Sequence, residues 1–304
     1  MKVWVHGYQL TPRTNVGPQR RGALLKVEWA MGQVGYSDLH PWPEFGEAPL
    51  DAHLEALAAM KFTRLAEVSL EFNYIDREFR LMKRNAFLGL IIPRSHRLVL
   101  DITTVKGQDL GEWEKQGYSH IKVKMGRDFT AETQALLELA YSSHISWRLD
   151  FNGKMSATQF TDWWRALDED VKRRIDFVED PIGEGVLKIE GPWANDWFKT
   201  ERARVRVIKP AREGIDDVGS FNRIVFTHGL DHSLGQACAA WTAGKFYAAH
   251  PRKVEVCGLS AGDAYEPDDF SSRWTSAGPR MKPTTGLGFG FDELLESIKW
   301  ERLF

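Results

Sequence analysis

The chain has 304 residues, 43% hydrophobic and 27% charged, with a formal charge of −2. That length and apolar content can fill one large domain, or a large and a small one, and the near-even charge leaves no surplus of Lys and Arg to neutralise phosphates, so nucleic acid and anionic membrane are excluded as partners. The start MKVWVHGYQL lacks the features of a signal peptide, and no run of about 18 apolar residues occurs, so a cytoplasmic protein acting on a small molecule is expected, as a monomer or small homo-oligomer.

Strand-like stretches open the chain at residues 2–8 and 23–29, a Gly- and Pro-rich loop covers 32–49, and apolar periodicity predicts helices over 52–60 and 73–84. From Arg97 onward short apolar runs alternate with amphipathic segments, the pattern of repeated βα units. The expected strands are residues 98–102, 120–125, 146–151, 175–179, 193–196, 205–209, 224–228 and 254–258. Eight strands of this kind predict a parallel α/β barrel. A doubly wound sheet is the competitor, but no Gly-rich phosphate turn follows the first of these strands. Helices between the fourth, fifth and sixth strands look short or missing, with residues 183–192 reading as loop. The amphipathic segment 291–304 follows Gly286, Gly288 and Gly290 and is expected to run back onto the N-terminal region. Cys238 and Cys257 sit in apolar surroundings without CxxC spacing and read as buried free thiols.

In a parallel barrel, functional side chains collect at the C-terminal ends of the strands. The second strand ends Ile121-Lys122-Val123-Lys124, and the period of two directs both lysines to one side. The third ends Arg148-Leu149-Asp150-Phe151-Asn152, again with its polar residues on one face; the fourth ends Val178-Glu179-Asp180-Pro181 and the sixth Ile208-Lys209-Pro210. Each piece alone has an ordinary explanation, as a solvated edge or a turn. Together, paired lysines, then Asp, Glu and Lys on successive strands, they describe a site. Carboxylates converging from different strands repel unless a cation lies between them, and hard oxygen ligands suit Mg²⁺.

At these residues the sequence resembles the enolase superfamily, muconate-lactonising type, with KVK, RLDFNG, FVEDP and VIKP in the places of its motifs. Upstream, Arg21-Gly22, residues 35–43 and Phe45-Gly46-Glu47 look like the capping domain of the o-succinylbenzoate synthase family, and downstream residues 226–235 and Cys257-Gly258-Leu259 are similar to its seventh- and eighth-strand segments. The resemblance implies a modified TIM barrel, (β/α)₇β, at residues 96–285, under an α+β capping domain at 1–95 that the segment 286–304 completes. It also implies Asp150 and Glu179 as ligands of Mg²⁺, with Mn²⁺ as a substitute, and Lys124 and Lys209 flanking a carboxylate substrate. The third ligand normally stands in an Asp-Glu context. Here the region offers Trp193-Ala194-Asn195-Asp196-Trp197, so Asp196 is expected, with Asn195 the alternative and Glu184 and Glu190 weaker ones. Asp176 and Asp180 read as structural.

By the same resemblance Lys124 is the base that removes a proton α to the carboxylate, giving an enediolate, and Lys122 orients the substrate. An unperturbed lysine, with a pKa of about 10.4, is neutral in only about one molecule in 2,500 at pH 7, so a second ammonium beside it has a physical purpose. Lys209 stays charged across the site. Arg148 is assigned to a substrate carboxylate, Asn152 and Gly258 to the pocket wall, and His228 and Gly229 to the lining for a succinyl arm. The expected reaction is dehydration of a succinyl-hydroxycyclohexadiene carboxylate in menaquinone biosynthesis. The alternatives are an N-acylamino acid racemase or dipeptide epimerase on the same scaffold, and a catalytically dead binding protein. The epimerases carry an Asp-x-Asp pair at the eighth strand, where this chain reads Gly258-Leu259-Ser260-Ala261-Gly262-Asp263.

Overall fold

The N-terminal strands β1 (Lys2–Leu10) and β2 (Arg20–Glu28) pair antiparallel from Lys2 opposite Glu28 to Leu10 opposite Arg20, and β3 (Val34–Leu39) pairs on the other side of β2. The computed structural model describes residues 1–13, 19–198, 203–215, 221–254, 256–261 and 264–304. β3 falls inside the expected loop. Gly35, Ser37 and Asp38 give no apolar alternation, and polar side chains of the neighbouring helix hold the strand instead. Asp76 accepts the Tyr36 N–H at 2.9 Å, and the Ser69 hydroxyl donates to the Asp38 carbonyl at 2.8 Å.

Two helices cover this sheet, α1 (Leu50–Ala58) and α2 (Arg64–Leu81). The second begins nine residues before the expected start at 73. Thr63 caps it by accepting the Ala66 N–H at 3.3 Å, and Leu65, Ala66, Val68 and Phe72 bury the first two turns. Leu25, Val27, Leu39, Leu57 and Leu65 form the core between sheet and helices.

The larger body is a curled parallel sheet. In chain order its elements are β4 (Arg97–Val99), α3 (Gly107–Lys115), β5 (His120–Lys124), α4 (Phe129–Ala140), β6 (Ser146–Asp150), α5 (Ala157–Ala166), α6 (Glu169–Arg174) and β7 (Ile175–Glu179). They continue through β8 (Trp193–Asn195), β9 (Val205–Ile208), α7 (Pro210–Glu213), β10 (Arg223–Phe226) and α8 (Ser233–Ala249). The strands lie in the order β10-β9-β8-β7-β6-β5-β4, each parallel to its neighbours.

The expected eighth strand closes the barrel through single bridges rather than a regular ladder. His96 N–H donates to the Cys257 carbonyl and Cys257 N–H to the Arg94 carbonyl, both at 2.7 Å, while Gly258 N–H donates to the Phe226 carbonyl at 2.8 Å. Among the described residues no helix joins β7 to β8 or β8 to β9, and α7 between β9 and β10 has four residues, as the short connections implied. Phe151, Phe160, Trp163, Trp164 and Trp193 fill the outer layer beside β6 to β8.

A hairpin the sequence pattern did not reveal follows α9 (Asp269–Arg273), with β11 (Thr275–Ala277) against β12 (Arg280–Lys282). The chain then returns to its beginning through α10 (Asp292–Ser297), and β13 (Glu301–Arg302) pairs antiparallel with β1, Trp4 opposite Arg302. Asp76 fastens this return: its carboxylate accepts the Phe289 N–H at 2.7 Å and the Arg80 Nε–H at 2.6 Å. Both cysteines are buried thiols outside any disulfide. Among the described residues no helix is long and apolar enough to cross a membrane.

Candidate active site

Parallel register does most of the work of assembling the site. Lys124, Asp150 and Glu179 are direct neighbours across β5, β6 and β7, and Lys122 sits one layer below, opposite Arg148. Because residues two apart share a face, both lysines of β5 and the acids of β6 and β7 point into one interior. Lys122 Nζ reaches Glu179 at 2.6 and 2.7 Å and Asp150 at 2.9 Å, and Lys124 Nζ reaches Asp150 at 2.5 Å. Lys209, at the end of β9, pairs with Asp196 just beyond β8. Asp150 and Glu179 are 1% exposed, so these charges have little water to fall back on.

The titration of the cluster follows from that confinement. Burial alone would depress the Lys122 ammonium, but Asp150 and Glu179 outweigh it and raise its pKa above the ordinary lysine value. For Lys124 the balance is reversed: burial, reinforced by Lys122, outweighs Asp150 and lowers the pKa. Glu179 is pushed well up by burial and by Asp150. Asp150 is held low because Lys122 and Lys124 overcome its burial, and Asp196 is lowered in the same way, chiefly by Lys209.

The loop that carries Asp196 is built by Asp180. Its carboxylate accepts the backbone N–H groups of Asp196, Trp197 and Phe198 at 2.9, 2.8 and 3.2 Å, and Arg206 holds the Asp196 carbonyl at 2.8 Å. Glu184 and Glu190 are exposed, Glu190 facing Arg204, and lie outside the cluster. Asn152, with a positive φ of 49°, accepts from Lys124 at 3.3 Å.

A cavity of about 30 Å³ lies over the lysines, lined by Trp42, His96, Leu98, Lys122, Lys124, Lys209, Thr227, His228, Leu230 and Gly258. Its volume is near that of one water molecule, so side chains must spread to admit a ring. His228 is held neutral, its pKa lowered to about 3 by burial and then Lys122, and its Nδ1 accepts the Leu230 N–H at 2.9 Å.

Asn152, expected in the pocket wall, is not among the residues lining this cavity, and two further expected substrate contacts are placed elsewhere. Arg148 is fully buried below the cavity, where its Nε donates to Asp176 and one Nη to the Val256 carbonyl, both at 2.7 Å, and the guanidinium lies 4.7 Å from the Phe177 ring. Alternation put Arg148 and Asp150 on one face correctly, but a side chain two residues earlier lies a layer deeper, beside the Asp176 that neutralises it. Gly229 gives its carbonyl to Arg20 of the capping domain at 3.0 Å and does not line the cavity.

The sequence reading missed Trp42 and His96. Trp42 comes from the capping domain and lies over Lys209, whose Nζ is 5.2 Å from the ring centroid, with Arg20 and Arg212 also against it at 4.5 and 4.1 Å. A Trp between two prolines in a lid segment was the available signal. For His96 the signal was its period-two relation to Leu98.

Comparison with known proteins matches residues 3–79 to the family model "O-succinylbenzoate synthase, N-terminal domain". An o-succinylbenzoate synthase of Bdellovibrio bacteriovorus is 30% identical over 93% of this chain and 92% of its own length. Among solved structures, a dipeptide epimerase of Enterococcus faecalis superposes with a TM-score of 0.73 at 16% identity, covering 95% of this chain and 98% of that one. A muconate lactonizing enzyme from Mucobacterium Smegmatis gives 0.74 at 17%, covering 97% and 98%. These two share the fold, whereas the Bdellovibrio relative shares sequence along nearly the whole chain. The chain therefore belongs to the o-succinylbenzoate synthase family.

Proposed function

We propose that this protein is an o-succinylbenzoate synthase, removing water from a succinyl-bearing hydroxycyclohexadiene carboxylate to leave an aromatic ring, as a step of menaquinone biosynthesis. The observation that carries this reading is the convergence of Lys124 and Lys209 on one buried cavity from β5 and β9, with Asp150, Glu179 and Asp196 on the strands between them.

Asp150, Glu179 and Asp196 are the proposed holders of Mg²⁺, or of Mn²⁺ in its place. Among the described residues no three His, Cys, Asp or Glu side chains are drawn into a closed metal cage. The three acids fit such an ion in donor type and surroundings: all are oxygen donors, Asp150 and Glu179 are buried and Asp196 is partly buried, and each is neutralised by a lysine that a divalent cation can replace. A bound ion supplies positive charge beside the substrate carboxylate, on whose oxygens charge develops as the α-proton leaves. A solved relative, the Enterococcus faecalis dipeptide epimerase, was crystallised with Mg and a dipeptide.

In this reading Lys124 takes the α-proton in its neutral form and then, newly protonated, assists the departing hydroxyl from the same face. Lys122 orients the substrate carboxylate. Lys209 keeps its proton across the cavity and stabilises developing negative charge, with Trp42 shielding its ammonium from water. His228 and Gly258 line the side toward the succinyl arm, and Asn152 steadies Lys124. No paired acids for the free ammonium of a dipeptide are described at residues 258–261; Gly262 and Asp263 lie outside the described residues.

The test is an assay of aromatic product formation, run beside NMR exchange of the α-proton in N-succinylamino acids and dipeptides. Dehydration is expected to have the higher kcat/KM. A higher value for racemisation or epimerisation overturns the synthase reading and leaves the metal and base assignments standing.

A further inference from the structure

His96 precedes β4 in the seam where the barrel closes. It is 3% exposed, and its backbone N–H is tied to Cys257 at 2.7 Å. Its Nδ1 lies 3.1 Å from Arg148 Nη1. A guanidinium can only donate, so Nδ1 must accept, and the one proton of a neutral imidazole is then on Nε2. Arg148 cannot readily turn away from this task, since its Nε donates to Asp176 and the same Nη1 donates also to the Val256 carbonyl, both at 2.7 Å. Burial, then Arg148 and Lys122, lower the His96 pKa well below the ordinary histidine value, which agrees with an uncharged ring.

The Nε2 edge faces the opposite way. It borders the cavity beside Gly258, where an added Cβ would stand 2.6 Å from both Nε2 and Cε1 and would cover that edge. The Thr227 methyl stands beside the same point, 2.9 Å from that Cβ position, and the Thr227 hydroxyl is buried without a hydrogen-bond partner. An Nε2–H donor and an unpartnered hydroxyl on residues that line one cavity call for an oxygen-bearing ligand.

We propose that His96 is a specificity-determining residue whose Nε2–H donates to an acceptor oxygen of the succinyl arm, and that Arg148 is a positioning residue that fixes the tautomer. This rests on the synthase reading for the identity of the arm. The placement gives a division of labour within the site: the ammonium groups of β5 and β9 serve the reacting carboxylate, and an uncharged, directional donor reads the rest of the molecule without adding a fourth positive charge beside Lys122.

The test begins with ¹⁵N NMR of the imidazoles in the ligand-free protein, assigned with His96→Gln; the Nε2–H tautomer is expected, and an Nδ1–H tautomer overturns the proposal whatever the enzyme catalyses. Binding of o-succinylbenzoate and of benzoate, which lacks the arm, is then measured for wild type, His96→Phe and His96→Gln. His96→Phe is expected to lose about tenfold in affinity for o-succinylbenzoate and little for benzoate, and His96→Gln, which keeps a donor near the same point, to recover most of it. KM is expected to rise more than kcat falls. Equal losses for both ligands, or none, overturn the arm contact. If His96→Phe does not fold, the Gln variant and the tautomer decide. Failure of the wild type to dehydrate its substrate is a separate result, striking the synthase reading and not the tautomer.

Discussion

Lys122 Nζ stands 2.6 and 2.7 Å from the two carboxylate oxygens of Glu179, so the ammonium grips the acid with both contacts at once. A divalent cation must compete with that grip. Asp150→Asn and Glu179→Gln are each expected to weaken Mg²⁺ binding at least tenfold by calorimetry and to abolish turnover, as is a chelator. Saturating the wild type to about 100 times its Kd should add about 2.7 kcal/mol of stability. Normal rates in chelated enzyme would remove the metal from the reaction. The same titration on Asp196→Ala and Asn195→Ala settles the third ligand.

Lys124→Ala is expected to lower kcat by about 10² to 10⁴-fold with the fold intact, because Asp150 keeps Lys122 as its partner. Lys209→Ala differs in a way that a melting curve can read. It leaves Asp196 buried and unpaired, so activity and stability should fall together, and adding Asp196→Asn should restore the melting temperature without restoring activity. Residual activity above a few per cent in the Lys124 variant contradicts its role as base.

Asp76 joins β3, α2 and the returning C-terminal segment through Tyr36, Arg80 and Phe289, and its side chain is wholly buried. Asp76→Ala leaves the Tyr36 and Phe289 N–H groups and the Arg80 Nε–H without their acceptor, while Arg80 keeps Asp292. A loss of about 3 to 5 kcal/mol in urea unfolding is expected. A loss within the usual range for surface changes, about ±0.5 kcal/mol, would mean that the return does not depend on this carboxylate.

Asp38 of the capping domain and Asp231 of the barrel face each other beside Gly235, whose added Cβ would stand 2.5 and 2.8 Å from their carboxyl oxygens. Burial raises Asp231 to about 6 and, with Asp231, raises Asp38 well above the usual range. A raised carboxyl favours folding while protonated, so this contribution is complete below about pH 4 and is lost as pH rises through about 6. Asp231→Asn should flatten that slope and stabilise the protein above pH 6, by on the order of 2 kcal/mol. An unchanged slope of melting temperature against pH between 4 and 7 rules out the pair as its source.

Alternation makes the cluster legible in the sequence. Period two gave the shared face of Lys122 and Lys124 and of Arg148 and Asp150, and short apolar runs ending in charge gave the strands that carry Glu179 and Lys209. β3 and the first half of α2 were not legible in this way, since Ser69 and Asp76 bury polar groups whose partners lie over thirty residues away.

The sequence by itself determined which residue types reach the ends of which strands, because that depends only on local periodicity. Only the tertiary structure decided depth and neighbours: that Arg148 lies a layer below Asp150 and turns to Asp176 and His96, that Asp180 builds the loop bearing Asp196, and that Trp42 comes down from the capping domain over Lys209. The physical reason is that a buried charge takes its role from whichever partner the fold brings within hydrogen-bonding distance, and sequence spacing carries no record of that distance.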